Sequence, residues 1–143
     1  MVKPASNLQP SDSGLRCVVV TPEETVLDSN ADFVVVPLFD GEVGIARDHS
    51  PMMGRLGYGE LRIRSGDQTS HHYVDGGFVQ VANNVISVLT SCAMPSDQVE
   101  AEVAEEQLRS ALVRKASGDE QIAIRDRTLS QARAQLRIAR RAK

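Results

Sequence analysis

The chain changes chemistry at Pro95. Upstream, short β-branched runs alternate with Gly, Pro, Asn and Asp; downstream there is no Pro and a single Gly, and Ala, Glu, Arg, Leu and Gln dominate. That is a switch from strand-forming to helix-forming composition. In 143 residues it leaves room for one domain with a real core and one small appendage. The boundaries that follow are a polar tail over residues 1–14, a β-domain over 15–95 and a helical unit over 96–143.

Within the first part the pattern predicts strands at Leu15–Val20, Thr25–Asp28, Asp32–Val36, Gly41–Ile45, Glu60–Arg64, Ser70–Val74, Phe78–Ala82 and Val85–Thr90. In Glu60-Leu61-Arg62-Ile63-Arg64 the Leu and Ile face one side and the charges the other. Asn83-Asn84 is a two-residue hairpin signal, because Asn tolerates positive φ, and Gly66-Asp67 serves a similar turn. Many strands joined by turns rather than helices indicate an antiparallel sandwich or barrel.

The second part predicts two helices. Ser96 or Asp97 is placed to cap the first, with Glu100 three residues after Asp97. Val99, Val103, Leu108 and Leu112 recur on one side of it. Gly118 is expected as its C-terminal stop, and Ser117 with Glu120 as a capping box for the second helix. There, Ile122, Leu129 and Leu136 fall seven apart, with Ala132 and Ala139 on the same stripe. A short loop between helices of similar length folds them into an antiparallel hairpin. Its stripes are narrow and rich in Ala, so it should be marginal unless docked, each buried Leu or Ile giving about 1.5–3 kcal/mol.

Composition removes several functions. A net charge of -3 and pI near 5.6 argue against nucleic acid as a partner. Aromatics at 3%, with no Trp, supply little for stacking on bases or sugars. No apolar run approaches the roughly 20 residues that span a bilayer. The N-terminal MVKPASNLQPSDSG lacks the features of a secretory or transit peptide and is expected to be disordered. Cys17 and Cys92 lie far apart among apolar neighbours and are expected as two buried free thiols, which suits a reducing compartment. His71 and His72 are adjacent in a strand and must point to opposite faces, so they do not make a cupin-like metal pair. No nucleophile, zinc or phosphate-binding motif is present, and the sequence offers no enzyme.

Two features point to protein partners. Asp40-Gly41-Glu42-Val43-Gly44-Ile45, followed by Asp48-His49-Ser50-Pro51, is dense in loop residues yet punctuated by apolar ones. It is either a turn whose glycines supply positive φ and whose His49 bonds the backbone, or a recognition loop on a rigid domain. The hairpin separates its charges: acids at Asp97, Glu100, Glu102, Glu105 and Glu106, cations at Arg125, Arg127, Arg133, Arg137, Arg140, Arg141 and Lys143. The helices can neutralise one another, but the excess of cations leaves a basic edge for an acidic partner.

Four motifs in order give a resemblance: Asp-Gly-Glu-Val-Gly-Ile, Asp-His-Ser-Pro, Gly59-Glu60-Leu61-Arg62-Ile63, and Tyr73-Val74-Asp75-Gly76-Gly77-Phe78-Val79-Gln80-Val81. From about residue 15 to the C-terminus the chain resembles the epsilon subunit of the F-type ATP synthase. The resemblance implies a β-sandwich of about ten short antiparallel strands followed by the two-helix hairpin. It implies a non-catalytic rotor subunit of the central stalk that links gamma to the membrane c-ring and couples ion flow to ATP synthesis, with catalysis in alpha and beta. The implied c-ring contact is Asp40, Gly41 and Glu42; the implied gamma contact is His49. The hairpin would leave the sandwich and inhibit ATP hydrolysis, with Arg125, Arg133, Arg137 and Arg140 meeting beta. The implied place is peripheral, on the cytoplasmic face of a bacterial plasma membrane (a chloroplast thylakoid being the other site for the family), with membrane association only through the complex.

Gln80 stands where the family has Glu, and Ser50 where Ala is common. ATP-binding members carry I/L-D-x-x-R-A, whereas Val99-Glu100-Ala101-Glu102-Val103-Ala104 has Val in place of Arg, so no cofactor is expected. A free-standing β-sandwich adaptor with a partner-binding hairpin is the competing expectation, and a cupin-like metalloprotein the third.

Overall fold

A computed structural model of the chain describes residues 14–141. The tail expected over residues 1–14 falls outside the described residues except for Gly14, as does Lys143. Eight strands come first: β1 (Leu15–Val20), β2 (Thr25–Ala31), β3 (Phe33–Leu38), β4 (Gly41–Ala46), β5 (Met52–Ser65), β6 (Gln68–Ala82), β7 (Val85–Leu89) and β8 (Ala93–Pro95). A 3-10 turn at Ser96–Gln98 leads to α1 (Ala101–Val113) and α2 (Asp119–Arg141). No described helix is long and apolar enough to cross a membrane.

The strands hydrogen-bond in the order β2-β1-β7-β6-β5-β3-β4, with β8 on the far half of β6. β1 runs parallel to β7, so the expectation of wholly antiparallel pairing fails at this one ladder. β2 also packs on β5, which is not its neighbour in the sheet, so the ladder folds over into two layers. Between them lie Leu15, Cys17, Val19, Val34, Val36, Leu61, Ile63, Val79, Val81, Ile86 and Val88, the alternate residues of their strands.

The long pair β5–β6 replaces four of the short strands that a ten-strand count requires. Its continuity rests on Gly76 and Gly77, at φ 70° and 110°. There the side-chain phase shifts: Val74 faces the core before the pair, Val79 and Val81 after it. Tyr73, on the opposite side from Val74, belongs to a second core with Val99, Ala134, Ile138 and Ala139, against which Tyr58, Met94 and Ala101 pack. The outer face of β5–β6 is therefore the seat of the hairpin. α2 lies on β5 and β6, and α1 packs on α2.

The hairpin departs from expectation in four places. Ser96 and Asp97 belong to the 3-10 turn; Glu100 occupies the cap position of α1 without a side-chain cap bond. Gly118, at φ 87°, does not end α1 but opens α2, its carbonyl accepting from Ile122 N–H. Ser117 N–H is bonded by Gln121 Oε1 in place of a capping box with Glu120. The contact face of α1 carries Ala104 and Ala111 rather than Val103 and Leu112, which are 48% and 58% exposed. Both cysteines are free, Cys17 buried as expected and Cys92 only half-buried. Burial, and secondarily the charge of Asp28, pushes the Cys17 thiol up to about 12.

Candidate partner-binding surfaces

The first surface grows from the β3–β4 turn. Pro37 pairs with Glu42 and Leu38 with Gly41, so Phe39 and Asp40 form the tip. Gly41 sits at φ 140°, a conformation that side-chain-bearing residues rarely adopt. Glu42 is exposed and held by Arg62 at 3.1 Å. Phe39 N–H donates to the Arg55 carbonyl, Arg55 pairs with Phe78, and Phe78 with Leu89. The Arg55 guanidinium lies 4.9 Å above the Phe39 ring. This cross-strand row leaves Phe39 71%, Phe78 60% and Leu89 52% exposed, with Met53 at 75% two residues from Arg55 on the same face. Three large apolar side chains on one sheet face, with Phe39 of the adjoining turn beside them, are more than the scattered exposure of an ordinary surface.

This stripe was missed in the sequence, although a signal was there. Val79 and Val81 set the buried phase of β6, and Ile86 and Val88 that of β7. Phe78 and Leu89 are each one residue out of phase and so had to face outward.

His49 lies beyond the other end of β4 from Asp40, Gly41 and Glu42, so the two expected contacts are not brought together. Its Nδ1 meets the Ser50 carbonyl oxygen at 2.7 Å, as the turn reading of this loop required. The loop is pinned to the Asn83–Asn84 turn: Asp48 N–H donates to Asn84 Oδ1 at 2.7 Å, and Asn84 Nδ2 returns a bond to Asp48 Oδ1 at 3.3 Å. Asp48, Asn83 and Asn84 all take positive φ.

The second surface is the hairpin. Arg133, Arg137 and Arg140 are exposed on α2; Arg125 is half-buried, its Nε without a hydrogen-bond partner. Arg140 meets Glu105 of α1 at 3.6 Å, among the described residues the one helix-to-helix exchange of the separated charges. Val103, where an ATP-pairing cation would stand, points to solvent.

Beneath the hairpin, the outer face of β5–β6 alternates aromatic and acid: Tyr58 pairs with Asp75, and Glu60 with Tyr73. Gln131 Nε2 donates to Asp75 Oδ1 at 2.8 Å, and Tyr73 Oη donates to the same oxygen at 3.0 Å. Burial pushes the Tyr73 hydroxyl up, while a hydrogen bond with Gln135 acts in the opposite direction. Glu60 accepts from Ser96 Oγ at 2.9 Å, meets His71 Nδ1 at 3.2 Å, and faces Arg141 at 3.8 Å. His71 and His72 take opposite sides of the strand, as adjacent residues must. Neither Glu60 nor Arg141 stood out in the sequence as a contact.

Residues 14–96 match the family model of the ATP synthase delta/epsilon chain beta-sandwich domain. The ATP synthase epsilon chain of Rhodopirellula baltica is 48% identical over 126 residues, covering 88% of this chain and 98% of that protein. The chain belongs to the ATP synthase epsilon chain family. The sodium-ion-specific ATP synthase epsilon chain of Propionigenium modestum is 30% identical over 85% of this chain and 90% of that protein. Among solved structures, a chain of the Euglena gracilis mitochondrial ATP synthase superposes with a TM-score of 0.77 over 94% of this chain and 88% of that one, at 16% identity. A chain from the central stalk and c-ring structure of the Tetrahymena thermophila mitochondrial enzyme gives 0.70, over 87% and 96%, at 14% identity. At such identities these two likenesses speak to the fold alone.

Proposed function

We propose that this epsilon chain is a non-catalytic rotor subunit of the central stalk that joins gamma to the c-ring and couples ion flow to ATP synthesis, catalysis residing in alpha and beta. The observation that carries the docking part is the exposed apolar row Phe39–Phe78–Leu89, with Met53, on the paired strands β5, β6 and β7 beside the β3–β4 turn. A face of this kind is stable in water only in small patches and is completed by a protein partner. Gamma occupies it, and His49, on the loop beyond β4, is a further gamma contact. The adjoining turn, Asp40, Gly41 and Glu42, meets the c-ring, Glu42 being oriented by Arg62. Membrane association is then peripheral and indirect, on the cytoplasmic face of a bacterial plasma membrane, and no cofactor takes part.

The hairpin is the regulatory part. Its seat is small and separate from the sandwich core, so two placements need differ by only a few kcal/mol. Displaced from the sheet, α2 turns Arg125, Arg133, Arg137 and Arg140 toward an acidic segment of beta and restrains hydrolysis. Deleting residues 97–143 should leave assembly intact and raise ATP hydrolysis by the purified complex about fivefold or more, the range of a typical coupling energy. Unchanged hydrolysis by the assembled deletion complex would refute the inhibitory role.

A further inference from the structure

Among the described residues, Glu60 is the only Asp, Glu, Lys or Arg that is buried, at 8% exposure. The sandwich core does not bury it. Leu61 and Ile63 face that core, and Glu60 points the other way, where the linker and α2 cover it. Of its three polar partners, only His71 belongs to the sandwich; Ser96 comes from the linker and Arg141 from the end of α2. His71 and Arg141 share one carboxylate oxygen, and Ser96 holds the other. The apolar part of this seat is modest: Ala134, Ile138 and Ala139 of α2 against Tyr73 and Tyr58.

A carboxylate under such a cover is stable only while its charge is met. Neutralising a buried ion pair is often harmless, whereas removing one partner leaves an uncompensated charge and is strongly unfavourable. We infer that Glu60 is a charge latch: it tolerates the docked hairpin while Arg141 faces it, and expels the hairpin's end when Arg141 is withdrawn. Glu60 and Arg141 both line a cleft with Arg62, His71, His72 and Asp97, and lifting the end would widen the access of water to the carboxylate from that side. Arg141 lies beside Arg140 and one turn from Arg137 on α2. An acidic partner surface that captures these cations would therefore release the hairpin in the act of binding it. That last step rests on the regulatory reading above; the latch itself is a property of the isolated chain.

The test is hydrogen–deuterium exchange of the full-length chain, read on residues 131–141 of α2 with the strands as internal reference. Arg141→Ala should speed exchange of that segment by about threefold to tenfold, strand protection being unchanged, since the cation is half-exposed and its loss is felt only in part. Glu60→Gln should stay within about twofold of the parent, because the amide can still bond Ser96 and His71. The double variant should also return to within about twofold, since the charge needing compensation has gone. A double variant as loose as Arg141→Ala, an Arg141→Ala chain as protected as the parent, or a Glu60→Gln chain that loosens alone would each overturn the latch. Hydrolysis does not enter this test, so a failed latch and a failed inhibitory role are told apart.

Discussion

An added Cβ at Gly77 would lie 1.9 Å from the Leu89 carbonyl oxygen, at a φ of 110° that only glycine adopts readily. Gly76, at φ 70°, would place its Cβ 3.4 Å from the Tyr58 ring, an ordinary contact. Gly77→Ala should therefore cost about 3 kcal/mol or more of unfolding free energy, the sum of a strained backbone and a blocked β6–β7 ladder. Gly76→Ala should cost only the left-handed conformation, about 1–2 kcal/mol. Urea titration of both variants checks the contrast, and equal losses would mean that the close approach to Leu89 is not what fixes Gly77. At this scale the sequence is legible wherever the chemistry is local: Asn83-Asn84 announces its own turn. Glu60 was legible as an outward residue of its strand but not as a buried one. Its cover comes from residues 36 and more positions away, and no local pattern encodes that.

At the scale of elements, the helices existed where the composition placed them, but their contact faces did not follow the largest side chains. Ala104, Ala111 and Ala132 are buried where the helices approach closely, while Val103, Leu112 and Val113 are left outside. Spacing identifies a periodic face; which of two neighbouring faces is used depends on how near the partner helix can come. The same dependence governs the edge where β6, β8 and the linker meet. His72 pairs there with Pro95, and its Nδ1 is buried without a hydrogen-bond partner. Burial holds its imidazole below the ordinary value, Asp97 raising it and His71 lowering it further. The neutral form is thus favoured in the folded chain. The stability it contributes is fully present above about pH 6.5, the ordinary imidazole value, and is lost as pH falls through the depressed one. His72→Gln, which cannot charge, should show a shallower fall in melting temperature between neutral and mildly acidic pH. An equally steep fall would place the acid sensitivity elsewhere.

For the whole molecule, the two-part plan was readable because each half keeps one period, two residues in the strands and about 3.6 in the helices. The strand count was not, since glycines that look like turn signals at Gly76-Gly77 bend a continuous strand instead of ending it. Nor was the parallel β1–β7 ladder, which depends on how the sheet folds over. The candidate surfaces differ in legibility: the motif around Asp40–Glu42 is prominent in the sequence, whereas the apolar row beside it spans turns and strands from Phe39 to Leu89 and becomes a surface only in the fold. The proposed docking of gamma on this row can be tested directly. The direct measurement is the affinity of the purified chain for purified gamma, compared with a Phe78→Arg/Leu89→Arg variant. Both positions are exposed, so circular dichroism should show the variant folded. A tight one-to-one complex is expected for the parent and a loss of about thirtyfold or more for the variant, corresponding to about 2 kcal/mol at an apolar anchor buried on binding. A folded parent chain that does not bind gamma, or a variant that binds as well as the parent, would contradict it.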